Sequence, residues 1–142
     1  MGLDTTPEII WFISMTLVSL AALRWGGGAE RVVAVANLAA WLASRVTFDA
    51  LGVGAHQWGV LLVDIGFLAV LLVAAARADR TWILFAASFQ LLGVVIHVTT
   101  MVDPQIRALT YMRGLVIWSY LILVSMAVGT WLEHRRRRRQ RP

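Results

Sequence analysis

The chain of 142 residues contains no cysteine, which excludes disulfides, thiolate chemistry and zinc–thiolate sites. It also contains no lysine, so all 13 basic residues are arginine. Charge is scarce: 15% of residues are charged against 59% hydrophobic, with a mean hydropathy of +0.72. Soluble domains carry about a quarter charged residues and roughly half apolar ones. These figures exclude a soluble enzyme, a disordered chain and a secreted disulfide scaffold. Catalytic signatures are missing as well: no phosphate-cradling glycine loop, no dinucleotide fingerprint and no nucleophile elbow. No Glu-x-x-His or His-x-x-x-His pair offers a metal site. The three histidines, His56, His97 and His134, fall at different levels, so two of them do not face each other as haem ligands would. No catalytic residue, metal or cofactor is therefore expected, and the chain is not expected to be an enzyme.

What the chain does have is long apolar runs. A membrane-crossing helix needs roughly 17–25 largely apolar residues. Thr81 to Val102 and Gly114 to Leu132 satisfy this directly. Ile9 to Leu23 is short by itself but is extended by Thr5, Thr6 and Pro7, proline being tolerated in the first helical turn. Gly26-Gly27-Gly28 then stops that helix. In the middle of the chain, Val32 to Ser44 and Ile65 to Ala76 span the bilayer only if each takes in one charge, Arg45 and Asp64 respectively. The reading is an all-α membrane protein, a five-span transmembrane helical bundle with spans at about residues 6–25, 30–50, 58–76, 81–102 and 112–132. Residues 133–142 form an arginine-rich tail. The loops are too short to hold a soluble domain, so residues 1–132 form a single bundle of antiparallel neighbours.

The arginines orient this bundle. With the C-terminus inside, one face collects Arg24, Arg31, Arg77, Arg80 and the six tail residues Arg135, Arg136, Arg137, Arg138, Arg139 and Arg141. The opposite face collects Arg45, Arg107 and Arg113. Arginine is retained on the cytoplasmic side, so the N-terminus is expected outside (periplasmic) and the C-terminus inside a bacterial inner membrane. The acidic start, Asp4 and Glu8 without a basic residue, fits translocation and not a signal peptide. Trp11, Trp25, Trp58, Trp82 and Trp131 all fall near predicted span ends, the level that indoles favour. The net charge of +5 lies wholly in the tail: without it and Glu133, seven arginines face seven acids. That tail follows a span directly, which makes it an anchor for anionic lipid headgroups. It lacks the interleaved aromatics of a nucleic-acid binder.

Ionisable residues inside a span cost about 2.5 kcal/mol or more, so each needs a partner. Arg45 and Asp64 lie at similar depth on consecutive antiparallel spans, both roughly 8 Å from the outer end at 1.5 Å per residue. They are the expected intramembrane polar pair, structural or proton-binding. Asn37, Trp41 and Arg45 recur at helical spacing, as do Gln90, Gly93, His97 and Thr100, and in lipid such stripes turn inward. Glu8, Asn37, Gln90, His97 and Arg113 form the candidate outer-half polar pocket, while the inner half carries almost no intramembrane charge. Trp118, Ser125 and Gly129 mark a helix-packing face, Ser125-x-x-x-Gly129 being a small-residue pair suited to close contact. Partners are therefore expected to be the lipid bilayer and other transmembrane helices, as a homo-oligomer or in a larger membrane complex. The functional expectation is an accessory, assembly or structural subunit acting through lateral helix contacts. The alternative is a small oligomeric ion- or proton-coupled transporter or channel using Asp64.

Overall fold

The computed structural model describes residues 6–50, 52–102 and 108–140, with side chains described at 9–47, 58–102 and 114–140. All of its regular structure is helical: α1 (Thr6–Trp25), α2 (Gly28–Ala50), α3 (Gly52–Arg77), α4 (Thr81–Val102) and α5 (Ala108–Arg139). Two helices have the limits that the apolar runs predict. α3 starts earlier, at Gly52, taking in most of what reads as a loop. α5 runs on to Arg139, so the arginine tail is a helical continuation of the last apolar run. Arginine favours this, being a strong helix former whose charge complements the helix C-terminal dipole.

Tight links make neighbours antiparallel. Gly26 closes α1 through its N–H to Ala22 O at 2.9 Å, and Gly27 opens α2 by accepting the Arg31 N–H at 3.1 Å. Two residues thus reverse the chain, and both are buried. Side chains do not fit there: a methyl group on Gly26 would collide with the Ala22 carbonyl oxygen. At the α3–α4 link, Ala78 donates to Ala74 O at 2.9 Å and Arg80 accepts from Ile83 at 3.2 Å, which starts α4. The helices close into a ring in chain order: α1 packs back on α5, and α2 also reaches α5.

Apolar residues lie on both sides of this ring. The core holds Met15 and Ala22 of α1, Val33 and Ala34 of α2, and Phe67 and Leu71 of α3. Ile83, Ala86 and Ala87 of α4 join them, with Ile122, Leu123 and Met126 of α5. Alanine and methionine at these sites let helices approach closely and fill irregular gaps. The outside is as apolar as the inside: Leu17, Leu62 and Phe85 are each more than 60% exposed, and so is Trp58. Helices that are apolar all round belong in a core or in a bilayer. Here α3, α4 and α5 are each long and apolar enough to cross a membrane. α1 offers a shorter apolar stretch, Ile9–Trp25, and α2 carries Glu30, Arg31, Arg45 and Asp49.

Gly129 is the tightest approach in the α4–α5 pairing. A Cβ there would stand 2.5 Å from three atoms of the Trp82 indole. Trp82 in turn donates its Nε1–H to Glu30 Oε1 at 3.1 Å. Gly129→Ala must push the ring away and is expected to destabilise by about 1–3 kcal/mol from overpacking alone, read as a lower thermal midpoint in detergent. Gly93→Ala is the control: its Cβ would meet nothing within 4 Å, and alanine is the better helix former by about 1 kcal/mol. Its midpoint should match or exceed wild type.

Candidate functional site

Two polar clusters occupy different heights of the ring. The first lies at mid-bundle between α3 and α4. Asp64 Oδ2 stands 2.9 Å from His97 Nε2. Gln90, two helical turns before His97, donates its Nε2 to Asp64 Oδ1 at 3.1 Å and to the Asp64 backbone oxygen at 3.2 Å. Gln90 and His97 thus grip the carboxylate from both sides. Burial is unequal: the His97 side chain is 4% exposed and that of Asp64 24%. The open side of the carboxylate lines a cavity of about 160 Å³. All five helices contribute to its wall, including Trp11, Asn37, Trp41, Ser44, Gln90 and Ser119.

The expected site residues distribute themselves as follows. Asn37, Gln90 and Asp64 share the cavity wall, and His97 sits behind Asp64 as its partner. Asp64 is held by Gln90 and His97 of α4, and the ion pairs among the described residues join it to His97 and not to Arg45. Depth along the span placed Arg45 and His97 equally well for Asp64; the rotation of α3 about its axis turns the carboxylate towards α4. Arg45 is half-buried and holds an interaction of its own. The side chains of Glu8 and Arg113 lie outside the described residues. Trp118 stacks on Phe89 with centroids 6.2 Å apart and planes 13° from parallel, and Gly129 seats Trp82, so both face α4. Ser125 donates to Leu121 O in its own helix at 2.8 Å.

The second cluster lies at the end of the bundle that carries the C-terminal tail. Glu30 is fully buried. Its Oε2 accepts the Gly27 N–H at 2.9 Å and its Oε1 the Trp82 indole N–H. Glu30 is the third residue of α2 and reaches back to the N-cap, half of a capping box, in the turn where the helix dipole favours a negative charge. Glu133 holds two arginines: Arg137 Nε donates to its Oε1 at 2.9 Å, and Arg80 Nη2 lies 2.7 Å from its Oε2. The Arg80 contact is an ion pair by distance, off the line of an aligned hydrogen bond. Both side chains of the Glu133–Arg137 pair reach the space above Gly27, where a Cβ would stand 3.2 Å from each.

This end of the bundle therefore holds two buried carboxylates where the sequence implies almost no intramembrane charge. Glu30 reads as one of the charges flanking an apolar run, and its partner Trp82 is 52 residues away. Its spacing from Gly27 was the available signal, since a glutamate three residues past an N-cap is a capping pattern. The tail arginines also divide. Arg137 binds Glu133, and the Arg135 guanidinium lies 4.1 Å above the Trp131 ring, a cation–π contact. Arg136, Arg138 and Arg139 are exposed, and Arg141 lies outside the described residues. Trp25 meets the His134 ring edge-on at 6.3 Å, which ties the end of α1 to the start of the tail.

Searches of protein-family models, curated proteins and solved structures find no match to this chain. The site therefore rests on its own geometry.

Glu133 is the first residue past the apolar run of α5. Burial by itself would raise its pKa, but hydrogen bonds and charge from Arg137 and Arg80 outweigh that and hold it below the ordinary carboxylate value. A depressed folded pKa stabilises fully above the unfolded value, and that stabilisation is lost as pH falls through the folded one. The thermal midpoint of wild type should therefore drop on acidification more steeply than that of Glu133→Gln. The two curves should converge at the lowest pH, where the wild-type carboxyl is protonated. Parallel curves would show that the Arg80–Glu133–Arg137 group adds no pH-dependent stability.

Proposed function

We propose that this chain is a small proton-coupled transporter or channel of a bacterial inner membrane, working at the Asp64–His97 pair. The observation that carries this reading is that pair, set against a cavity lined by all five helices. Ionisable groups inside a span are costly and mark ion or proton pathways. Helix cohesion is served at lower cost by neutral amides and hydroxyls. A carboxylate oxygen and an imidazole nitrogen 2.9 Å apart share one hydrogen between them. The more exposed member is Asp64, on the cavity side, which makes it the group that a mobile ion reaches first.

In this reading all five helices span, with the N-terminus outside and the C-terminus inside. The ten arginines on the tail side against three opposite support that orientation. α2, which carries Glu30, Arg31, Arg45 and Asp49, spans because its Glu30 is buried against Trp82 and its Arg45 is engaged. Exposed tail arginines hold anionic headgroups. A second reading, an accessory subunit acting through lateral contacts with copies of itself or a larger complex, is favoured by one feature. A groove of about 490 Å³ runs along α2 and α3, lined by Ala29, Val32, Ala69, Val70 and Val73 among others, and small residues of this kind admit a neighbouring helix.

Proteoliposomes loaded with a pH-sensitive dye separate the two. The transporter reading expects wild type to dissipate an imposed proton gradient faster than empty vesicles. Asp64→Asn and His97→Gln should fall to the leak rate, with wild-type secondary structure and oligomer size. An unchanged rate in Asp64→Asn would refute it. Because the chain has no cysteine, single cysteines at Asp49 and Asp79 test orientation: an impermeant thiol reagent should reach them from opposite sides. Labelling of both from one side would overturn the five-span topology.

A further inference from the structure

Among the described residues that line the central cavity, Asp64 is the one that ionises. Its carboxylate has two donors, Gln90 on Oδ1 and His97 on Oδ2. A carboxylate offers about four lone-pair sites, so acceptor capacity remains. Ser119 adds more, because its hydroxyl hydrogen is spent on Leu115 O at 2.8 Å and its oxygen is left to accept. Arg45, the nearby cation on α2, is engaged in its own interaction and is not part of the cavity wall. The wall thus holds one acid and spare acceptors.

It is also aromatic. Trp41 packs against Trp11 at 6.4 Å and against Phe12 at 5.0 Å between centroids, and both tryptophans border the cavity. Tryptophan faces attract cations through the ring quadrupole. The Asn37 amide completes the set. Its Nδ2 is buried without a partner among the described residues, although buried polar groups as a rule have one. An ammonium has three donors and no acceptor, so this N–H is met by a water that enters with the guest, while the amide oxygen of Asn37 is an acceptor for the cation.

Size limits the guest. At about 160 Å³ the cavity is close to the roughly 150 Å³ cavity known to hold benzene, so a large lipophilic drug does not fit. A bare metal ion is disfavoured too, since among the described residues no three carboxylates or imidazoles converge. We infer that the central cavity is a binding site for a small organic cation, a protonated amine of a few carbons, held by Asp64 and the Trp11–Trp41 wall. This deepens the proton-coupled reading and rests on it for one step. The ammonium and the proton compete for the same carboxylate, so a bound amine enters as the pair's proton leaves, and charge is conserved.

Titration calorimetry of the detergent-solubilised protein with n-butylammonium and its neutral counterpart n-butanol tests the site. Wild type should bind butylammonium at least tenfold more tightly than butanol, and Asp64→Asn should lose that preference. Ala40→Leu, which fills the cavity and keeps the charge, should abolish binding of both while the protein stays folded. Equal affinity for butanol would reduce the site to an apolar void and overturn the inference, as would undiminished amine binding in Asp64→Asn. Repeating the titration in buffers of different ionisation heat counts released protons. Amine binding without release leaves the amine site standing and counts against the proton reading. Proton-gradient dissipation without amine binding does the reverse.

Discussion

A charge removed from water must find its counterpart inside the protein, and the bundle is arranged around that requirement. Two carboxylates are fully or nearly buried at the tail end, and a third sits at mid-bundle. Each has a polar or charged partner on another element or on an adjoining link. Glu30 joins the Gly26–Gly27 turn to α4 through Trp82. Glu133 joins α5 to the start of α4 through Arg80. Asp64 joins α3 to α4 through Gln90 and His97. α4 or the residue that leads into it takes part in all three, which makes it the element against which the others are set.

These contacts also explain where glycine is needed. Gly27 carries no side chain because Glu30, Glu133 and Arg137 converge on the space that a Cβ would enter. Gly129 carries none because the Trp82 ring lies against it. Removing either clearance would expel one partner from a buried carboxylate, and a group left unsatisfied costs more than the bond was worth. The tail end is therefore a closed structural lock. The mid-bundle pair differs: its carboxylate keeps an open side on a cavity, and a donor on that wall stays unpartnered among the described residues. The contrast between carboxylates enclosed by an indole and arginines and one with an open side on a cavity is the reason the functional reading rests on Asp64 and not on Glu30 or Glu133.

The elements were largely legible in the chain. Run length, the glycine stop and the bounding charges located α1 and α4 to their ends, and the polar stripe of α4 did bring Gln90 and His97 onto one face. The partner of Asp64 was not legible. α3 is apolar all round, so it has no amphipathic stripe to say which way its one acid points. Depth is readable from residue count, but azimuth is not, and Arg45 and His97 lie at equal depth. The tail-end cluster escaped for a related reason. Its members come from three places in the chain, and a charge beside an apolar run looks like a solvated flank whether or not it folds inward.

The composition by itself determined an all-helical chain with an apolar exterior, too poor in charge to be covered by water and too short of loops to carry a separate domain. It also determined that the net positive charge belongs to the last turns, because every excess arginine is there. Only the tertiary structure decided which buried charges meet. That depends on the rotation of each helix about its axis and on which neighbours the ring places side by side. Those are set by packing against several helices at once, by clearances such as those at Gly27 and Gly129, and no single segment contains them.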